Sequence, residues 1–96
     1  MSSFELAPAV SPIRKLSNHC LIAGYSRVGR QVAEEFAQRK TPFIVMESAP
    51  DRSKQLVDDG YLFARGDATS DEVLKEAGID RAQTLVSQEA MNSMLQ

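Results

Sequence analysis

The strongest constraint on this chain is Gly24-Tyr25-Ser26-Arg27-Val28-Gly29, a glycine-bounded turn between two segments of different period. Before it, His19-Cys20-Leu21-Ile22-Ala23 is a short, continuous apolar run of strand length. After it, from Arg27 to Lys40, the apolar residues Val28, Val32, Ala33, Phe36 and Ala37 recur at helical spacing, while Arg30, Glu34, Glu35 and Gln38 fall mostly elsewhere. A buried strand turning sharply into an amphipathic helix is the opening of a βαβ unit, which commits the chain to a parallel sheet.

The rest of the sequence repeats the alternation. Thr41-Pro42 stops the helix, because proline disfavours helical backbone in the residue before it, and Phe43-Ile44-Val45-Met46 supplies a second buried strand with Glu47 at its carboxyl end. Pro50-Asp51 opens a second helix with a preset φ and an acidic first turn, and Gly60 closes it in a left-handed cap. Tyr61-Leu62-Phe63-Ala64 reads as strand three. Thr69 and Glu72 form a capping box for a third helix through Val73, Leu74 and Ala77 that ends at Gly78, and Thr84-Leu85-Val86-Ser87 is strand four. Right-handed crossovers place strands two and three on one side of strand one and strand four on the other. The expectation is a three-layer, Rossmann-like α/β domain over residues 18–87, an open parallel sheet of order 3-2-1-4 with an incomplete second half. Residues 1–17, with Pro8, Pro12 and no apolar period, read as a leader or linker, and residues 88–96 as a short helix or tail carrying Met91, Met94 and Leu95 on one side.

Composition removes several function classes. With 96 residues there is room for one small core and no separate substrate domain. Eleven basic against 13 acidic residues give a net charge of −2, which offers no overall field for nucleic acid. One cysteine, Cys20, and one histidine, His19, provide neither an intramolecular disulfide nor a zinc cluster, and a reducing cytoplasm is expected. The apolar runs are far shorter than the roughly 20 residues a membrane-spanning helix needs, and the N-terminus lacks a signal-peptide pattern.

The glycine turn matches the dinucleotide-binding pattern G-x-G-x-x-G with Ser26 in place of the middle glycine. Gly24 permits the tight turn and Gly29 lets helix and strand approach closely, so the free amides at the helix start form a phosphate site backed by the helix dipole. The Ser26 hydroxyl can donate a replacement hydrogen bond to the phosphate. Glu47, followed by Ser48, lies 18 residues (47 − 29) beyond Gly29, close to the roughly 20 expected of the carboxylate that binds a ribose diol. A 2′-phosphate would be repelled there, which disfavours NADP. Gly66-Asp67-Ala68-Thr69 ends strand three on the same edge, so Asp67 and Ala68 either bound an adenine pocket or only shape the turn into the next helix. His19 sits at the opposite edge and Cys20 on a buried strand, so neither is read as catalytic, and no acid/base pair is visible.

These pieces in this order resemble the N-terminal RCK domain (regulator of K⁺ conductance, also called TrkA-N), as found in the cytoplasmic tails of Kef-type cation:proton antiporters and in K⁺ channels. The resemblance runs from His19 to about Val86 and rests on Gly24-x-Ser26-Arg27-Val28-Gly29, Phe43 to Glu47, Gly66-Asp67-Ala68-Thr69 and Leu74-x-x-Ala77-Gly78-Ile79. It implies a cytoplasmic regulatory domain, at the inner face of the membrane through its transporter, that binds NAD(H) or AMP, ADP or ATP and controls a K⁺ channel or K⁺/H⁺ antiporter. The site residues would be Gly24, Tyr25, Ser26, Arg27, Val28, Gly29, Glu47, Ser48, Asp67 and Ala68. Family members continue through two more strands and a dimer-forming helix; a chain ending after strand four would house only the adenosine half of a dinucleotide. Its uncovered Leu85-Val86 edge predicts a homodimer or higher oligomer, or pairing with a transporter. An NAD-dependent oxidoreductase fragment and a ligand-free interaction module are the alternative readings.

Overall fold

The computed structural model of the chain describes residues 16–87. Seven elements alternate: β1 (Cys20–Ala23), α1 (Arg27–Gln38), β2 (Phe43–Glu47), α2 (Pro50–Asp59), β3 (Phe63–Arg65), α3 (Asp71–Glu76) and β4 (Thr84–Val86). The four strands form one sheet in the order β3-β2-β1-β4, and every pairing is parallel. The order is the expected one. Register sets Leu21 beside Ile44 and Ile22 beside Val45, Ile22 beside Val86, and Glu47 beside Arg65.

Because side chains alternate across a strand, this register sorts the apolar runs into two cores. Ile22, Val45 and Val86 face Val32 and Ala33 of α1 and Leu56 of α2. Leu21, Ile44, Met46 and Ala64 face Val73 of α3 and Ala77 just after it. Helices therefore cover both faces, completing three layers. On the first face Phe36, Phe43, Tyr61 and Tyr25 form a chain of ring contacts, with centroids 6.1, 5.1 and 6.3 Å apart, leading from the sheet's amino edge to the glycine turn.

Four local expectations are corrected. Strand three starts at Phe63 rather than Tyr61, because the Tyr61 amide is spent on Leu56 O (3.1 Å) in closing α2 beyond the left-handed Gly60. Helix α1 stops at Gln38 and not Lys40, since Arg39 caps it and Lys40 is left-handed (φ 60°). The cap of α3 is Ser70, whose hydroxyl accepts from the Val73 amide, and not Thr69. Thr69 instead gives both its amide (2.8 Å) and its hydroxyl (2.9 Å) to Asp67 Oδ1, a local turn that competes with helix capping. β4 ends at Val86, one residue before the expected Ser87. Residues 1–15 and 88–96 lie outside the described residues, and with them most of the leader and the whole Met91, Met94 and Leu95 stripe.

His19 is fully buried at the start of β1 and bonds through Nε2 to Ala77 O at 2.7 Å, tying the sheet to the end of α3. Cys20 is buried beside it, and burial pushes its thiol pKa up, away from reactivity.

Candidate functional site

The ten site residues expected from the sequence lie at or beside the carboxyl edge of the sheet, where β1, β2 and β3 end. Gly24 begins the turn with φ 106°, a left-handed backbone that favours glycine, and an added Cβ would sit 3.9 Å from Glu47 Oε1. The turn is held from both ends of the next residue. Tyr25 donates its amide to Glu47 Oε1 (2.6 Å) and its buried phenol to Asp59 Oδ2 (2.5 Å) on α2. Burial first, and the Asp59 carboxylate second, raise the Tyr25 pKa far above its ordinary value, so the phenol is a permanent donor.

Ser26 has an extended backbone (φ −76°, ψ −178°) and serves as the N-cap of α1, its hydroxyl accepting from the Gly29 amide at 3.3 Å. Two consequences follow. A glycine is not required there by the backbone, and the hydroxyl spends a lone pair on the helix while keeping its proton for a ligand. Capping the Gly29 amide leaves those of Arg27 and Val28 as the unpaired donors of the first turn. Val28 packs its side chain on the core, and Gly29 is buried against the sheet.

Glu47 is the central group. It is 5% exposed, yet its carboxylate accepts three amides: Tyr25 on Oε1, and Ser48 and Ala49 on Oε2 at 3.0 Å each. Arg52 stands 4.0 Å from Oε1. Sequence spacing placed this carboxylate at the strand end, but did not reveal that it also locks the glycine turn to the start of α2. Two ionised oxygens provide about four acceptor positions, so capacity for a further donor remains.

Around this carboxylate lie two clefts. One, of about 170 Å³, is lined by Ala23, Gly24, Met46, Glu47, Ser48, Gly66, Asp67 and Ala68, which brings together five of the expected residues from three strand ends. The second, of about 260 Å³, lies between the first turns of α1 and α2 and is lined by Tyr25, Ser26, Arg27, Arg30, Asp51, Arg52 and Gln55. Arg30, Asp51, Arg52 and Gln55 were not singled out in the sequence; the signal available was that both helices begin at the same sheet edge with arginines in or near their first turns. Asp67 is bound locally to Thr69, whose amide and hydroxyl hold its carboxyl below the usual range. It nevertheless lines the first cleft, so its turn-forming and cleft-forming roles coexist. Among the described residues no cluster of histidine, cysteine and carboxylates could hold a metal ion, and no helix is long and apolar enough to cross a membrane.

The glycine turn, the strand-end acid and the Gly66-Asp67 turn thus occupy one edge of a 3-2-1-4 parallel sheet, and the TrkA-N domain model matches residues 20–92. This chain belongs to the TrkA-N domain family. It is 38% identical over 86 residues to Potassium channel protein 1 of Methanocaldococcus jannaschii, covering 88% of this chain and 26% of that protein. It is 35% identical over 80 residues to K(+) efflux antiporter 2, chloroplastic, of Arabidopsis thaliana, covering 81% of this chain and 7% of the relative. The TrkA-N domain of the inner membrane protein ybaL from Escherichia coli superposes with a TM-score of 0.72 at 29% identity, over 76% of this chain and 54% of that one. The chain spans about a quarter or less of the length of these channel and antiporter relatives.

Proposed function

We propose that this TrkA-N domain is a regulatory nucleotide-binding domain that controls a K⁺ channel or K⁺/H⁺ antiporter from the cytoplasmic side of the membrane. The observation that carries the ligand class is the first cleft. Gly24 from the end of β1, Glu47 and Ser48 from the end of β2, and Asp67 and Ala68 from the end of β3 line one concavity beside the unpaired amides of α1. That is where an open parallel sheet takes an adenosine nucleotide. In this reading Glu47 accepts from the ribose diol, Asp67 and Ala68 flank the adenine, and the Arg27 and Val28 amides take the first phosphate.

The ligand is NAD(H) or AMP, ADP or ATP. A negative group on the ribose would meet the Glu47 carboxylate, so NADP is the weaker ligand. The relatives whose names mention potassium channels and efflux antiporters support the assignment of the output to K⁺ transport. β4 forms one edge of the sheet among the described residues and Leu85 is 43% exposed, which supports self-association or pairing with the transporter. Titration calorimetry with AMP and NADH, alongside thermal unfolding, tests the reading. A nucleotide at roughly 100 times its Kd should stabilise the domain by about 2.7 kcal/mol. Absence of both heat and thermal shift with every adenine nucleotide at millimolar concentration refutes it.

A further inference from the structure

The amino edge of the sheet, opposite both clefts, carries a groove of about 230 Å³ for which the nucleotide reading has no use. Leu16, Pro42, Phe43, Tyr61 and Leu62 form its apolar walls, and no charged side chain lines it, in contrast to the two clefts at the carboxyl edge. Leu16 and Leu62 fringe the second core, Phe43 and Tyr61 the first, so the groove lies where the margins of the two cores meet. These four side chains are half-buried and Pro42 is exposed. The rings of Phe43 and Tyr61 stand edge to face, 5.1 Å apart. An aromatic corner of this kind is a surface on which extended, proline-bearing chain packs well.

The point at which the chain reaches this groove is fixed by hydrogen bonds. Arg81 Nε donates to Leu16 O at 2.9 Å, and the amide of the left-handed Asn18 (φ 58°) donates to Arg81 O at 2.7 Å. Gln83 Nε2 donates to Asn18 O, also at 2.7 Å. Leu16 is thereby clamped to the loop before β4, and the chain that precedes it starts from the groove's own wall. That chain reads Val10-Ser11-Pro12-Ile13-Arg14-Lys15. At no more than about 3.6 Å per residue, Ile13 is within about 11 Å of Leu16 and Val10 within about 22 Å. From Leu6 to Ile13 no residue is charged, and Pro8 and Pro12 favour extended backbone.

We propose that the amino-edge groove is the docking site of the chain's own Val10-Ser11-Pro12-Ile13, with the apolar side chains of Val10 and Ile13 against the rings of Phe43 and Tyr61. A segment tethered at the groove wall meets the groove at a high effective concentration, which favours it over a free partner of like chemistry. Docking there covers apolar surface at the edge away from both clefts, so the proposal stands apart from the nucleotide reading.

The test uses the full chain with isotope-labelled methyl groups. Nuclear Overhauser contacts are expected from the Val10 and Ile13 methyls to the rings of Phe43 and Tyr61, and isotope-filtered spectra of mixed labelled and unlabelled protein should show none between chains. Trypsin reads the strength of docking. Cleavage after Arg14 and Lys15 should be roughly tenfold or more faster in Val10→Ser/Ile13→Ser than in wild type, since a docked segment is cut only when it leaves the groove. Phe4→Ser, farther from Leu16, should keep the wild-type rate, and circular dichroism melting checks that the variants are folded. Contacts between chains would assign the groove to a second copy and overturn the proposal. Absence of contacts, or equal cleavage of wild type and double variant, overturns it as well and leaves the groove to another partner. None of these outcomes bears on nucleotide binding.

Discussion

Replacing Glu47 by alanine should destabilise the domain before any ligand is added. The side chain is 5% exposed and its carboxylate accepts the amides of Tyr25, Ser48 and Ala49. These three losses are unequal. The Tyr25 amide belongs to a residue only 4% exposed, and stranding a buried donor costs about 1 to 3 kcal/mol. Ser48 is exposed and Ala49 half-buried, so water replaces much of what their amides lose, and together they add about 1 kcal/mol. The expected total is about 2 to 4 kcal/mol, a large share of the roughly 5 to 15 kcal/mol available to a small domain. Glu47→Gln should lose less, because its amide oxygen can still accept from Tyr25, while its NH₂ faces the Ser48 and Ala49 amides as a second donor. Urea unfolding of the three proteins, followed by circular dichroism, gives both differences. A loss below 0.5 kcal/mol for Glu47→Ala would show that the turn is held by something other than this carboxylate.

Tyr25→Phe should lower the melting midpoint by a few degrees, and the difference from wild type should depend on pH. The Tyr25 hydroxyl, then Gln55 and Arg30, hold the Asp59 carboxyl below its usual range against the opposing effect of burial. A depressed folded value gives stability that is present above the unfolded value of about 4 and is lost as pH falls through the folded one, so the gap between the proteins should narrow on acidification; a constant gap would contradict this. Gly66→Ala should unfold more easily than Gly24→Ala. Both sites have positive φ, but a Cβ at Gly66 would collide with Val73 Cγ2, whereas at Gly24 the nearest atom is 3.9 Å away. Strain alone is worth about 1 to 2 kcal/mol, and the collision should add about 1 to 3 kcal/mol at Gly66, as read by urea unfolding. Ser26→Gly should cost only a few tenths of a kcal/mol in the same measurement, since glycine is an adequate N-cap. A cost above 1 kcal/mol would mean that the serine does more than cap.

The order of elements was legible because it depends on period and punctuation: apolar runs, amphipathic spacing, and turns marked by Gly24, Thr41-Pro42, Gly60 and Gly78. Local hydrogen-bond competition was not. Thr69 and Ser70 are adjacent hydroxyls, and which of them caps α3 is decided by Asp67, whose side chain captures Thr69 first. Tyr61 reads as strand by composition, but its amide is taken by the end of α2. In the site the carboxyl-edge residues were legible by position, because strand ends in a parallel sheet converge. The partners of Tyr25 and Glu47 were not, since Asp59 and Arg52 are brought to them only by the packing of α2 across the sheet.

That packing gives the Glu47 carboxylate two employers. In the protein alone it fastens the Tyr25 amide to the first turn of α2, and the Tyr25 phenol fastens the same turn of chain to the last residue of α2. Both ends of α2 are therefore tied to the residue that follows Gly24. A ribose hydroxyl arriving at Glu47 would draw on the oxygens that make one of these ties, so ligand binding and the seating of α2 would share a free energy. This coupling yields a measurable consequence for the nucleotide reading. Tyr25→Phe removes the tie at Asp59 while leaving the Tyr25 amide bond to Glu47 and the first cleft's lining in place, and by releasing α2 it should weaken nucleotide binding more than its small effect on stability accounts for. Calorimetry at a temperature where both proteins are fully folded separates the two: unchanged affinity in Tyr25→Phe would mean that α2 is anchored independently and that the carboxylate serves ligand and fold without linking them.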